Sequence, residues 1–373
     1  MDALRYGRGF GAPRSAHDRR PVVVWNVSRT CNLRCLHCYS DSAARKYDGE
    51  LTHAQGRALL EDLAAFRVPA VLLSGGEPLA RRDTLELADY GRSLGLKFTL
   101  STNGTLIDRA AAERIRRIGF AYVGISIDGI GATNDRFRGV EGAFERAVSG
   151  IRHCKAVGQK VGLRLTLTPK TARDLEAIFD FIEAEDIDRA CFYHLVPTGR
   201  GRSVAALTHV QTRAALDTIF RRTREFARKG HSREILTVDN HTDGAYLYMA
   251  LLRDDPKRAA DALAALSWNG GGANSSGIGI ADIDTQGDVH PDQFLQSVTL
   301  GNVKELKFSE IWSDGSNETL AALRNRTGRL HGRCASCRFM PICGGNFRAR
   351  ALNLTGDLWA SDPGCYLTDA EIA

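Results

Sequence analysis

Apolar residues recur along this chain in two alternating rhythms. Short, nearly unbroken apolar runs are followed by longer stretches spaced three and four apart. These are the signatures of buried parallel strands and of amphipathic helices. The run Val22-Val23-Val24-Trp25 comes first, and further runs cover 70–73, 97–100, 121–127, 161–167 and 190–195. Helical spacing covers 51–66, 84–94, 108–118, 143–157 and 174–184. This alternation predicts an α/β fold of six β/α units, with a parallel sheet and right-handed crossovers closed as a partial (β/α)6 barrel. Residues 213–229 read as a basic amphipathic helix covering it. Beyond a glycine-rich loop at 268–277, residues 278–283, a turn at Gln286-Gly287 and residues 289–292 read as a β-hairpin opening a small C-terminal α+β domain. The expected organisation is a mobile tail over 1–20, the barrel over 21–235, and a linker with the second domain over 236–373.

Composition narrows the class without naming it. The chain is 43% hydrophobic and 25% charged, and no apolar run approaches the roughly 20 residues that span a bilayer. Residues 1–20 are polar and arginine-rich, so no secretory signal and no membrane partner are expected. The net charge of +6 is spread along the chain. It does not point to nucleic acid, but it suits a substrate bearing carboxylates. Most of the nine cysteines fall in two tight clusters, which argues for metal binding in a reducing cytoplasm rather than for a disulfide framework.

The first cluster, Cys31, Cys35 and Cys38, falls on the loop after the first strand, at the edge of such a barrel where chemistry is done. Three thiolates can hold an iron–sulfur cube and leave one iron free. An incomplete zinc site or three buried thiols are the other readings of those residues. The next strand ends bring Gly75-Gly76-Glu77-Pro78, then Ser101-Thr102-Asn103-Gly104, then Ser126-Ile127-Asp128. Two glycines let backbone approach a ligand closely. Arg164 lies on the fifth strand and faces either the pocket or the surface. Arg200 and Arg202, after the sixth, form either a solvated linker or a flexible clamp for carboxylates. Cys154 and Cys191 read as core residues. The stretch from Asp239 to Gly244, with His241, is too polar for core. His290 and Asp292 are either nonstandard ligands or substrate groups, or ordinary turn residues. Cys334, Cys337, Cys343 and Cys365 are enough to close a second site, for which zinc would be the default.

The spacing C-x3-C-x2-C, followed by Gly75-Gly76-Glu77-Pro78, resembles the radical S-adenosylmethionine (radical SAM) enzymes; the Ile125-Ser126-Ile127-Asp128-Gly129 segment agrees. That resemblance implies a [4Fe-4S] cluster on Cys31, Cys35 and Cys38, with its open iron chelated by AdoMet. It places the GGEP backbone and Glu77 at the AdoMet amino group and His37 near the adenine. Asn103, Ser126 and Asp128 then belong to cofactor binding, and Arg138, rather than Arg136, clamps the carboxylate. The C-x2-C-x5-C spacing with a distant fourth cysteine is similar to SPASM and twitch domains. It implies one auxiliary iron–sulfur cluster, a [4Fe-4S] by preference, since Asp292 and Phe347 stand where further cysteines are expected. Residues 237–244 and 283–294, Gly301-Asn302-Val303 and 354–357 resemble the radical SAM proteins of heme d1 biosynthesis (NirJ type). Members of that family act on 12,18-didecarboxysiroheme, in which two propionates are lost and oxo groups take their places. A 5′-deoxyadenosyl radical abstracts hydrogen from a propionate carbon. The resemblance makes His290 and Asp292 candidate catalytic groups, and Arg164, Arg200, Arg202 and His241 candidate substrate contacts. It also implies a cytoplasmic electron donor such as flavodoxin or ferredoxin. A decarboxylase of the alternative heme pathway, a SPASM peptide maturase and a non-catalytic metal or tetrapyrrole carrier are the rival readings.

Overall fold

The structure is a computed structural model that describes residues 20–268 and 276–373. Residues 1–19 of the expected tail, and 269–275 of the glycine-rich loop, lie outside the described residues. The six expected strands form close to their expected positions: β1 (Val22–Ser28), β2 (Val71–Gly75), β3 (Phe98–Thr102), β4 (Tyr122–Ser126), β5 (Val161–Leu167) and β6 (Arg189–His194). A seventh, β7 (Glu234–Val238), pairs parallel with β6 and was not expected. The expected divide between residues 235 and 236 falls within it. Helices α1 (His53–Ala65), α2 (Thr84–Ser93), α3 (Arg109–Ile118), α4 (Ala132–Arg138), α5 (Ala143–Ala156), α6 (Leu175–Ala184) and α7 (His209–Arg228) connect the strands. Local chemistry sets their starts. Thr52 and Gln55 form a reciprocal capping box on α1, and Asp108 caps α3. Helices α8 (Thr242–Asp254) and α9 (Pro256–Trp268) follow β7.

The expected hairpin is not a separate sheet. Strand β8 (Ile280–Ile283) pairs parallel with β1, on the side opposite β2, with Val22 opposite Ile280 and Trp25 opposite Ile283. Strands β9 (Asp288–His290) and β10 (Gly301–Asn302) continue antiparallel. The result is one open sheet in the order β10-β9-β8-β1-β2-β3-β4-β5-β6-β7. Strand β1, which leads into the first three cysteines, is therefore interior and covered on both edges. This explains its nearly unbroken apolar sequence. One apolar core runs from Val23 and Trp25 through the barrel to Ile283, Trp312, Phe339 and Ile372, so both halves share it. Cys154 and Cys191 are buried within the barrel, as expected. No helix among the described residues is long and apolar enough to cross a membrane.

Trp25 is fully buried and meets α1 at Gly56. Replacing it with alanine is expected to destabilise the protein by about 3–5 kcal/mol through lost burial and a residual cavity. Urea denaturation of Trp25→Ala against wild type, followed by far-UV circular dichroism, measures this.

Candidate active site

The C-terminal ends of β1 to β6 surround a cavity of about 990 Å³, open to solvent on one side. Cys31, Cys35 and Cys38 form one wall. Gly75, Gly76, Ser101, Asn103 and Ser126 line the strand-end side, with Arg138 beside the cysteines. Arg164, Thr166, Tyr193 and His194 come from β5 and β6, and Gln293 and Phe294 reach in from the hairpin region. The cysteine loop has no regular structure, and its backbone is held by its neighbours. Gly76 N–H donates to Ser28 O at 2.7 Å and Glu77 N–H to Thr30 O at 2.9 Å. A Cβ on Gly76 would stand 2.5 Å from Thr30 O, so only glycine allows this approach.

Two side-chain donors are aimed at the sulfurs. Arg138 Nη1 lies 3.5 Å from Cys35 Sγ, and Asn103 Nδ2 lies 3.9 Å from Cys31 Sγ. Arg138 is buried, and its Nη2 pairs with Asp128 Oδ2 at 2.5 Å. Burial pushes the Cys31 thiol up to about 12 and raises Cys35 too. The thiols thus hold their protons until a metal displaces them. Soft sulfur donors with hydrogen-bond donors at their backs fit an iron–sulfur cluster, and the remaining space fits a ligand of AdoMet's size. The His37 ring packs tilted against Phe137 with centroids 4.7 Å apart, and burial lowers its pKa to about 4, so it lines the cavity as a neutral ring.

The four C-terminal cysteines line a second, almost wholly apolar pocket of about 440 Å³, with Phe339, Met340 and Leu367. Among the described residues, no three His, Cys, Asp or Glu side chains converge on a point that would hold one metal ion. Four thiols in an apolar surround fit an iron–sulfur cluster. His194 joins the two regions. Its Nε2 lies 2.9 Å from Asp243 Oδ2, and Asp243 Oδ1 accepts from the hydroxyl of Tyr366, the residue after Cys365, at 2.8 Å.

The radical SAM superfamily pattern matches residues 25–182, and that of the SPASM iron-sulfur cluster-binding domain matches 277–338. The Fe-coproporphyrin III synthase of Methanosarcina barkeri is 49% identical over 381 aligned positions, which take in 100% of this chain and 95% of that protein. The chain belongs to the radical SAM superfamily. The pre-heme d1 synthase of Dinoroseobacter shibae is 48% identical, with 94% of this chain and 87% of that protein aligned. The fold matches SuiB of Streptococcus suis bound to S-adenosylmethionine, with a TM-score of 0.74, 20% identity and coverage of 93% and 78% of the two chains. AdoMet and iron–sulfur clusters are the cofactors of this radical SAM enzyme.

Within it, several expected site residues have other partners. Glu77 is fully buried and does not line the cavity. Its oxygens accept from Leu79 N–H, Thr102 Oγ1 and Asn103 N–H, so it ties the ends of β2 and β3 together. Pro78 is buried beside it. Asp128 is likewise internal, accepting from Thr166 N–H at 2.7 Å and orienting Arg138. Arg136 is exposed and does not line the cavity, whereas Arg138 does.

The expected flexible arginine loop is instead a short 3-10 turn, Gly199–Ser203. Arg200 braces the cysteine loop through Cys35 O at 2.9 Å, Ser42 O at 2.9 Å and Asp41 Oδ1 at 2.6 Å. Arg202 lines a neighbouring open cleft, as does His290, whose Nδ1 lies 2.8 Å from Val298 O. Asp292 is a turn cap. It accepts from Ser276 Oγ and from the N–H groups of Phe294 and Leu295, so it is saturated. His241 sits against Cys343 O at 3.2 Å, beside the second cysteine pocket and away from the first cavity. Phe347 packs edge-on against His241 and Phe294, filling the place where a further cysteine was expected.

Sequence reasoning missed Tyr39, whose hydroxyl donates to Asn26 Oδ1 at 2.7 Å and whose ring meets Phe294, and it missed His194. Tyr39 directly follows the cysteine motif, and His194 is the polar residue that ends β6. Cys31→Ala is expected to abolish AdoMet cleavage, whereas Cys365→Ala keeps at least part of it. The measurement is 5′-deoxyadenosine formed after anaerobic reconstitution and dithionite reduction. Gly76→Ala, which drives a methyl group into Thr30 O, is expected to lower both that yield and the iron retained.

Proposed function

We propose that this enzyme acts in heme d1 synthesis, removing two propionate side chains from 12,18-didecarboxysiroheme and leaving oxo groups in their places. The observation that carries the reading is Arg164. It lies on the cavity wall beyond the three cysteines, its guanidinium 4.8 Å from the centre of the Tyr193 ring. No carboxylate pairs with it among the described residues, unlike Arg138 and Arg200. A guanidinium held among aromatic rings without an acid partner is suited to take a carboxylate from a ligand. Similarity to the pre-heme d1 synthase supports the particular substrate. The comparable similarity to the Fe-coproporphyrin III synthase favours a second reading, in which the same cavity trims the tetrapyrrole to that product.

When bound, the cluster and AdoMet supply the radical that removes hydrogen from a side-chain carbon. The chain's own residues position the reactants. Arg164 fixes the carboxylate, Ser126 and Asn103 offer polar contacts to the nucleoside, and Phe294 and Tyr39 restrict water at the rim. Cys334, Cys337, Cys343 and Cys365 hold the auxiliary cluster.

The test is anaerobic incubation of reconstituted enzyme with dithionite, AdoMet and 12,18-didecarboxysiroheme, reading 5′-deoxyadenosine and tetrapyrrole mass together. Loss of two propionates with gain of oxo groups supports the d1 reading. Conversion to Fe-coproporphyrin III supports the second, and an unchanged tetrapyrrole rejects both. Arg164→Gln is expected to lower kcat/KM for the tetrapyrrole by roughly 10- to 100-fold, the size of a lost charge-assisted hydrogen bond. AdoMet cleavage without substrate should persist. An equal fall in that background cleavage would assign Arg164 to the AdoMet carboxylate instead.

A further inference from the structure

The cysteine loop is thin on its outer side. Leu36, between the ligands Cys35 and Cys38, is 40% exposed. It edges a cleft of about 670 Å³ shared with Phe137, Arg136, Lys170 and Arg173. These three cations are exposed, and so is Arg34 in the same loop. Among the described residues none of the four has an ion pair or a side-chain hydrogen bond, so their charge is free. Two acids lie alongside, fewer than the four cations, and each is held by backbone donors. Asp174 accepts from Ile130 N–H, and Asp135 accepts from Gly142 and Phe144 N–H. The inner face of the cleft is close to the cysteines, because Leu36 N–H donates to Phe137 O at 2.9 Å and Phe137 packs against His37.

A cluster on Cys31, Cys35 and Cys38 must receive an electron from outside the protein, while the cavity side is taken up by AdoMet and substrate. The opposite face at Leu36 is exposed, with an apolar centre and four cations around it against two carboxylates. That arrangement fits a small, transient interface with an acidic protein, steered by charge.

We propose that the Leu36 face docks an acidic one-electron carrier protein, which is oxidised by one electron as the cluster behind Cys35 and Cys38 is reduced by one. The proposal rests on a cluster at that loop and not on the identity of the tetrapyrrole.

The probe is flavodoxin, with reconstituted wild-type enzyme compared with Lys170→Glu/Arg173→Glu and, separately, Arg136→Glu. Oxidised flavodoxin is titrated calorimetrically. Cluster bleaching by reduced flavodoxin and by dithionite is then followed by stopped flow. Charge reversal is expected to weaken flavodoxin binding by roughly 10-fold or more and to slow bleaching by flavodoxin, with wild-type binding falling as salt rises. Bleaching by dithionite should stay unchanged. Unaltered flavodoxin binding in both variants overturns the proposal. So does an equal loss of both bleaching rates, which would mean a damaged cluster. Neither readout contains a tetrapyrrole, so failure of the substrate reading would leave this result standing.

Discussion

The cavity depends on how an irregular loop keeps its backbone hydrogen bonds while presenting three thiols. Buried carbonyls and N–H groups need partners, and this loop has no helix or strand of its own to supply them. The barrel supplies them instead. Backbone N–H groups of Gly76, Glu77 and Arg200 reach Ser28, Thr30 and Cys38, and those of Arg34 and Leu36 reach Arg138 and Phe137. The Arg200 guanidinium adds Cys35 and Ser42. With the backbone satisfied in this way, the sulfurs are left to face the cavity. Segments after β2, β3, β4 and β6 all contribute to holding that loop, which is why residues that look catalytic by type here prove to be braces.

Buried charge is distributed with the same economy. Arg138 pairs with Asp128, and Arg350 with Asp362 deep in the C-terminal part. Each pair removes a cost that an isolated buried ion would carry. Arg164 departs from this pattern, resting among aromatic rings at the cavity wall. Its interest comes from that contrast rather than from its being an arginine.

The order of strands and helices was legible because parallel strands buried on both faces read as apolar runs, and the helices between them keep helical spacing. Strand β7 was not, since its half-buried edge position leaves no such run. Helix α4 is short and rich in charge, and α8 begins in a polar stretch, so neither announces itself. At the site, residue types and neighbourhoods were readable, but side-chain direction was not. Glu77, Asp128 and Asp292 turn inward to backbone donors that sequence does not reveal. Arg164 is the converse case. In β5 the half-buried positions Arg164 and Thr166 alternate with fully buried ones, and that period of two points both at the cavity.

The pairing of β8 with β1 has a mechanical consequence. A hairpin hung from a linker would let the C-terminal part swing about the barrel. Here the strand that ends at the first cysteines is also the strand on which the second half is laid, hydrogen bond by hydrogen bond. The sheet that carries the first cysteine loop therefore also carries the β8–β10 strands, and one apolar core joins the two halves. The hairpin region that brings Gln293 and Phe294 to the first cavity is thus set when the chain folds rather than when a ligand arrives.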